Sequence, residues 1–276
     1  SHSKNKGVPE TYKMKKYLVI GNPINHSLSP ELHNYWIKQN GIDAQYEKKK
    51  LNNSELESLI SEVRQGNING LNITVPFKNT VIPFLDILSD EAKKTQSVNT
   101  IYLKNKKVFG HNTDIEGFIT AVNKINFDFY NKKIFILGAG GVVPSIVYAS
   151  MKMRSSEILI SNRTRNNAEK IKNIFDNVQI INWGNIPNFD VVINATSIGL
   201  KKNDRINLDF TKIGKNKLFY DVIYNPGVTN FLSTGKKLGN MYQNGKLMFI
   251  YQAFSAFKLW HNVEPTINNE TLKLLD

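Results

Sequence analysis

At 276 residues and 41% hydrophobic content, the chain has apolar material for one large or two ordinary α/β domains, and two is the expected number. Its net charge of +13 is spread as short lysine pairs rather than a basic block interleaved with aromatics, which argues against a nucleic-acid binder and leaves a solvated surface that attracts anionic ligands. No apolar run is long enough to span a bilayer, residues 1–17 lack the apolar core of a signal peptide, and with no cysteine any redox chemistry needs a cofactor in what is expected to be a cytoplasmic protein.

Residues 17–20 are apolar and β-prone, Gly21-Asn22-Pro23 breaks that strand, and Ser29-Pro30 opens a helix that runs to Gln39 and stops at Gly41. A short strand near Tyr46, a helix over 54–64, a strand over 71–75 and a short helix after Phe77 follow. Strand-like runs at 98–103 and 107–111 lead into a helix over 115–125. The second half is more regular: a strand over 134–137, a glycine turn, a helix to Met153, a strand over 158–161, a helix over 166–175, and strands over 178–181, 191–194 and 218–222. This is the pattern of a parallel, doubly wound sheet. From Gly245 the chain returns to helices rich in aromatic residues. The fold class expected is therefore α/β, with an N-terminal α/β domain, a Rossmann-like domain, and C-terminal helices that return to the first.

Four polar segments of the first half fall where strands end. In His26-Ser27-Leu28-Ser29-Pro30, Ser29 reads as an ordinary helix N-cap; Ser27 is left over, and two hydroxyls beside a helix N-terminus would seat a carboxylate. In Asn72-Ile73-Thr74-Val75-Pro76-Phe77-Lys78, Asn72 and Thr74 share one strand face. Lys78 falls at a predicted helix start, where the macrodipole disfavours a cation, an environment that suits a general acid/base. Ser97-Val98-Asn99-Thr100 and Gly110-His111-Asn112-Thr113-Asp114 complete the set. Asp114 reads as the N-cap of the next helix, a role compatible with facing Lys78 across a cleft and holding it in position. The five histidines are scattered without carboxylates at ligand spacing, so no metal site is expected.

Ile134-Phe135-Ile136-Leu137-Gly138-Ala139-Gly140-Gly141 runs from an apolar strand into a glycine turn and a helix, the setting of a dinucleotide fingerprint. Gly138 would allow the tight turn, Gly140 the approach of a pyrophosphate, and the helix N-terminus free N–H groups. Val143 replaces the third glycine of the common form. After the next strand, where NAD enzymes place an acidic residue for the ribose 2′-hydroxyl, stands Ser161-Asn162-Arg163-Thr164-Arg165. Arg163 can clamp a phosphate through two parallel hydrogen bonds, so the segment points to NADP. Asn194-Ala195-Thr196-Ser197-Ile198-Gly199, at a further strand end, would let the cofactor lie against small residues or is a plain strand-to-loop turn.

These segments, together with Gly21-Asn22-Pro23, Tyr220-Asp221-Val222-Ile223-Tyr224-Asn225-Pro226 and Gln252-Ala253, occur in one order over nearly the whole chain, from Tyr17 to about Glu264. In this the chain resembles the shikimate dehydrogenases. The resemblance implies reversible NADPH-dependent reduction of 3-dehydroshikimate to shikimate, a step towards chorismate and the aromatic amino acids. It implies Lys78 and Asp114 as the catalytic pair. It assigns the substrate to Ser27, Ser29, Asn72, Thr74, Asn99, Tyr224 and Gln252. It assigns NADP to Gly138, Ala139, Gly140, Gly141, Val142, Asn162, Arg163, Thr164, Thr196, Ser197, Ile198, Val222 and Gly245. Domains are expected at 14–112 with 246–276 (substrate) and 113–245 (cofactor). The partner is a small-molecule substrate, with neither nucleic acid nor membrane, and a homodimer is one possible assembly. Three positions depart from the family pattern: Ile115 replaces a small residue, Asn244 stands where an Asp often precedes Gly245, and Asn167 replaces an arginine that some relatives direct at the 2′-phosphate, with Arg165 available in its stead. The alternatives are an NAD-using quinate/shikimate dehydrogenase and a catalytically silent, ligand-sensing relative.

Overall fold

A computed structural model describes residues 14–276; the polar N-terminal stretch up to Lys13 lies outside the described residues. The first sheet is built from β1 (Lys15–Gly21), β2 (Ala44–Lys50), β3 (Gly70–Ile73), β4 (Ile87–Leu88), β5 (Thr100–Lys104) and β6 (Lys107–His111), in the order β2-β1-β3-β5-β6-β4. Strands β1, β2 and β3 are parallel, and β5 runs antiparallel to both β3 and β6. Helices α1 (Ser29–Gln39), α2 (Leu56–Arg64) and α3 (Asp90–Thr95) connect them. Helix α2 shows why the assignment works: Leu56, Leu59, Ile60 and Val63 recur at helical spacing and all are buried against the sheet.

Helix α4 (Asp114–Lys124) leads to a second sheet made of β7 (Lys133–Leu137), β8 (Glu157–Ser161), β9 (Gln179–Ile180), β10 (Val191–Asn194), β11 (Leu218–Asp221) and β12 (Met241–Gln243), with α5 (Val143–Lys152), α6 (Arg165–Ile174) and α7 (Asn230–Lys237) around it. All its strands are parallel, in the order β12-β11-β10-β7-β8-β9, the doubly wound arrangement expected from the sequence. Strand β7 is apolar at nearly every position because both faces are covered: Ile134 and Ile136 join one core cluster, Phe135 and Leu137 another. Helix α8 (Lys246–His261) spans both halves: Met248 packs in the second-sheet core, Ile250, Ala253 and Phe257 with α1 on the first sheet, and α9 (Asn269–Lys273) follows. Among the described residues no helix is long and apolar enough to cross a membrane.

Four elements had no expectation in the sequence: β4, α3, α7 and β12. Helix α3 is a short, charged segment without apolar periodicity, started by Ser89, whose Oγ accepts from the Ala92 amide at 3.2 Å. Helix α7 carries Gly235 where it packs directly on the Phe219 ring, with no room for a Cβ, and is capped by Thr229. The helix expected after Phe77 is absent: residues 78–81 form turns, followed by a single 3₁₀ turn at Ile82–Phe84. The macrodipole argument for Lys78 therefore falls. Strand β3 ends at Ile73, one residue before Thr74.

His33 is fully buried, stacked on Tyr46 with ring centroids 4.3 Å apart, and neither ring nitrogen finds a partner among the described residues. Burial, reinforced by neighbouring His261, pushes its pKa from 6.5 down to about 3. The unfolded chain binds a proton there near pH 6.5 and the folded chain does not, so stability is full above that pH and falls as the pH drops towards 3. At about pH 5 the loss from His33 alone is expected to be about 2 kcal/mol. Urea melts at neutral pH and at about pH 5 measure it, and His33→Phe should flatten the slope; an unchanged slope in that variant would refute the assignment.

Candidate active site

The two sheets present their carboxyl ends to one another. In the first sheet the order β2-β1-β3 makes a switch point, and the loops leaving β1 and β3 carry Ser27, Ser29, Thr74 and Lys78. In the second, the switch point lies between β7 and β10, whose loops carry Gly138 to Val142 and Thr196 to Ile198.

Lys78 and Asp114 meet between them. Lys78 Nζ lies 2.7 Å from Asp114 Oδ2, both side chains are largely buried, and Asp114 Oδ1 accepts from Asn99 Nδ2 at 3.2 Å. Asp114 does not cap its helix. Thr113 holds the cap position without a side-chain bond, and Asn112 just before it does the capping, its Oδ1 accepting from the amides of Asp114 (2.9 Å) and Ile115 (3.3 Å), which frees the Asp114 carboxylate for the lysine. Ser29 is likewise not the N-cap: Leu28 occupies that position and Ser29 is the first helical residue. Its hydroxyl stands beside that of Tyr46, which donates to Asn72 Oδ1 at 2.7 Å. Ser27 Oγ accepts from the Ser29 amide at 3.3 Å.

Asn72 is buried and engaged on both ends of its amide, its Nδ2 donating to Asn99 O and Thr100 Oγ1. It braces β3 against β5. Thr74 turns its methyl towards Gly21. Asn99 is the hub: its Nδ2 reaches Thr113 Oγ1 (2.8 Å), Asp114 Oδ1 and, at 3.5 Å, Gln252 Oε1. Gln252 can approach because α4 and α8 cross closely at Gly117, where a Cβ would lie 2.8 Å from the Gln252 amide nitrogen. Tyr224, carried by the loop after β11, packs against Phe249 with ring centroids 4.5 Å apart and planes tilted by 38°, and sets its hydroxyl beside the Leu28 amide; burial pushes its pKa up to about 12.

On the cofactor side Gly138 has φ +118°, a conformation only glycine adopts readily, and faces the Ala195 carbonyl across the switch point. No acceptor takes the amides of residues 139–142 among the described residues, and the space in front of Gly140 is open. Four free donors at the start of α5 fit a dinucleotide pyrophosphate. Gly141 lies against the aliphatic stem of Lys78, and its carbonyl accepts from Ser97 Oγ at 2.9 Å, so the first sheet grips the glycine turn. The Thr196 hydroxyl is spent on Asn194 Oδ1 (2.6 Å), holding the turn, while Ser197 is exposed. Gly245 packs on the Val222 carbonyl. Asn162 Nδ2 donates to Thr164 O at 2.9 Å, leaving Arg163 projecting from a fixed turn.

Sequence reasoning missed Asn112, Ser97 and Ser145 as a joint between the two sheets. Asn112 Nδ2 lies 2.8 Å from Ser145 Oγ in α5, 3.1 Å from Ser97 O and 3.2 Å from Thr95 Oγ1. Asparagine is a preferred N-cap, so a signal for Asn112 was present beside the competing one at Asp114. Nothing local marks Ser145.

Two family models match the chain: the shikimate dehydrogenase substrate binding domain over residues 19–101 and shikimate / quinate 5-dehydrogenase over residues 120–221. A shikimate dehydrogenase (NADP(+)) of Pelagibacter ubique is 56% identical over 262 residues, covering 95% of this chain and 99% of the relative. The chain belongs to the shikimate dehydrogenase family. Two solved members of that family are also similar. Shikimate 5-dehydrogenase of Listeria monocytogenes, in complex with shikimate and NAD, has a TM-score of 0.87 and 27% identity, over 95% of this chain and 96% of that one. The enzyme of Thermus thermophilus, in complex with NADP(H) and shikimate, has a TM-score of 0.85 and 28% identity, over 95% and 98%. The family fold thus accounts for the two facing sheets.

Proposed function

We propose that this chain is an NADP-dependent shikimate dehydrogenase that reversibly reduces 3-dehydroshikimate to shikimate, with Lys78 and Asp114 as its catalytic pair. The observation that carries the reading is the 2.7 Å Lys78–Asp114 contact placed against the glycine turn, where one lysine touches both the substrate side and the cofactor side. When bound, NADP supplies or takes up the hydride. Lys78 Nζ holds the proton of the reacting hydroxyl, and Asp114, steadied by Asn99, keeps the ammonium aimed into the cleft. Ser27, Ser29 and Tyr224 gather at the α1 N-terminus and would receive the carboxylate, while Asn99 and Gln252 would hold the ring hydroxyls with Thr74 and the braced Asn72 beside them.

The free amides of residues 139–142 and the exposed Arg163 would hold NADP, with Val222, Gly245 and the turn at Thr196 to Ile198 lining the rest of its bed. In this reading residues 14–112 with 246–276 form the substrate domain and 113–245 the cofactor domain, supported by the division of strands between two sheets. The enzyme works in the cytoplasm on a small molecule alone, and sedimentation tests whether it is a homodimer. Purified protein given shikimate and NADP+ should form NADPH, at a higher kcat/KM than with quinate or with NAD+. No turnover of shikimate with either cofactor would reject the reading.

A further inference from the structure

We propose that Asp221, a buried carboxylate with no part in the proposed proton transfer, sets a fixed negative charge beneath the nicotinamide half of the cofactor bed and so favours the oxidised, positively charged ring over the reduced one. The inference rests on the reading of the second sheet as an NADP site. Asp221 ends β11 and pairs in register with Asn194, which ends β10. A dinucleotide lies across the switch point of a doubly wound sheet with one half on each side. With the pyrophosphate at the free amides of residues 139–142 and the adenosine half towards the end of β8, the nicotinamide half falls to the ends of β10 and β11. The proposed substrate groups lie on the same side: Lys78 rests on Gly141, and Tyr224 is carried by the loop that leaves the sheet at Asp221.

The Asp221 carboxylate is fully buried and meets only neutral donors. Its Oδ1 accepts from the Asn194 side-chain amide at 3.2 Å and from the Ile223 amide at 3.0 Å, and its Oδ2 accepts from the Thr229 hydroxyl at 2.6 Å. Among the described residues no lysine, arginine or histidine forms an ion pair with it. Lys246, the cation next to Gly245, is paired with Asp276 instead. Burial raises the Asp221 pKa to about 6 and the three donors hold it from rising further, so the group is ionised at pH 8. A charge that is neither paired nor in water keeps much of its reach in the low-dielectric interior.

The same bonds tie this charge to the bed. The Asn194 amide also donates to Ile198 O at 2.9 Å, and its Oδ1 accepts from both the amide and the hydroxyl of Thr196. Val222 follows Asp221 in the chain, and its carbonyl lies where a Cβ on Gly245 would be. Asp221 therefore underlies the turn at Thr196 to Ile198, Val222 and Gly245 together. An asparagine could keep most of these bonds at a smaller desolvation cost; what a carboxylate adds is charge. Reduction of NADP+ removes the positive charge of its ring, so an anion fixed nearby stabilises the oxidised form and leaves the reduced form nearly untouched.

Calorimetric titration at pH 8 with NADP+, NADPH and adenosine 2′,5′-bisphosphate, which has no nicotinamide, tests this. Asp221→Asn should weaken NADP+ about 5- to 10-fold and leave NADPH and the bisphosphate within about 2-fold. Asp221→Glu, which keeps the charge, should hold the ratio of NADP+ to NADPH affinity within about 2-fold of the parent even where both affinities fall. Equal losses for the two cofactor forms in Asp221→Asn would make the residue a brace and overturn the charge role, as would no loss at all. Should that variant fail to fold, the parent decides alone: it should bind NADP+ at least as tightly as NADPH, and a tighter hold on NADPH would overturn the inference while leaving the NADP reading intact. Parent protein that binds neither form would overturn both.

Discussion

Replacing Lys78 with alanine is expected to lower kcat by about 10²- to 10⁴-fold while changing KM for shikimate and NADP+ far less. The range corresponds to about 3–5 kcal/mol of transition-state stabilisation, the size of a positioned proton donor or acceptor. The geometry concentrates that loss in turnover. Lys78 sits between Asp114 and Gly141, whereas the groups proposed to hold the carboxylate, Ser27, Ser29 and Tyr224, lie on other elements and keep their contacts when the lysine is removed. Asp114→Asn, which keeps a hydrogen-bonding side chain in place but removes the charge, should cost less than Lys78→Ala. The ammonium then loses its anchor but not its presence. Steady-state kinetics on variants whose circular dichroism matches the parent measure both effects. A kcat within about 3-fold of the parent for Lys78→Ala would remove the lysine from the proposed mechanism.

That prediction depends on a contact that the sequence suggested only as a conditional. The second sheet was legible because its strands are buried on both faces and its helices carry apolar residues at regular spacing, as in β7 and, with Val143, Ile146 and Val147, α5. Helix α3 escaped because a capping serine and tertiary contacts, rather than apolar spacing, hold its six residues. The motif residues were legible as a set, but their partners were not. Asn112, Thr113 and Asp114 are adjacent and each is able to cap a helix; the choice among them is made by Lys78, 36 residues away, which claims the Asp114 carboxylate and leaves the cap to Asn112. The turn that replaces the predicted helix at Lys78 has a similar origin. Its carbonyl accepts from the Val98 amide at 2.8 Å, a bond to a distant segment that no local propensity encodes.

The same long-range logic makes the loss of Asn112 costly to the fold. It is fully buried, its Oδ1 caps α4, and its Nδ2 lies within reach of Thr95, Ser97 and Ser145, on both sides of the cleft. Asn112→Leu nearly conserves volume but leaves two helix amides, the Ser97 carbonyl and the Ser145 hydroxyl without this partner. Summing a lost cap and two or three buried groups left unpaired gives an expected destabilisation of about 3–5 kcal/mol. Ser145→Ala, which removes one arm of the joint and no cap, should cost only about 1 kcal/mol. Asn112→Asp separates the two functions. Its oxygens can still cap α4, but it cannot donate to Ser97 O, and it buries a second carboxylate beside Asp114, so it should destabilise more than Ser145→Ala and also loosen Asp114's hold on Lys78. Urea unfolding of the three variants measures the ladder. A loss below about 1 kcal/mol for Asn112→Leu would mean that water or a shifted Ser97 can replace the amide, and that the two halves of the molecule are joined elsewhere.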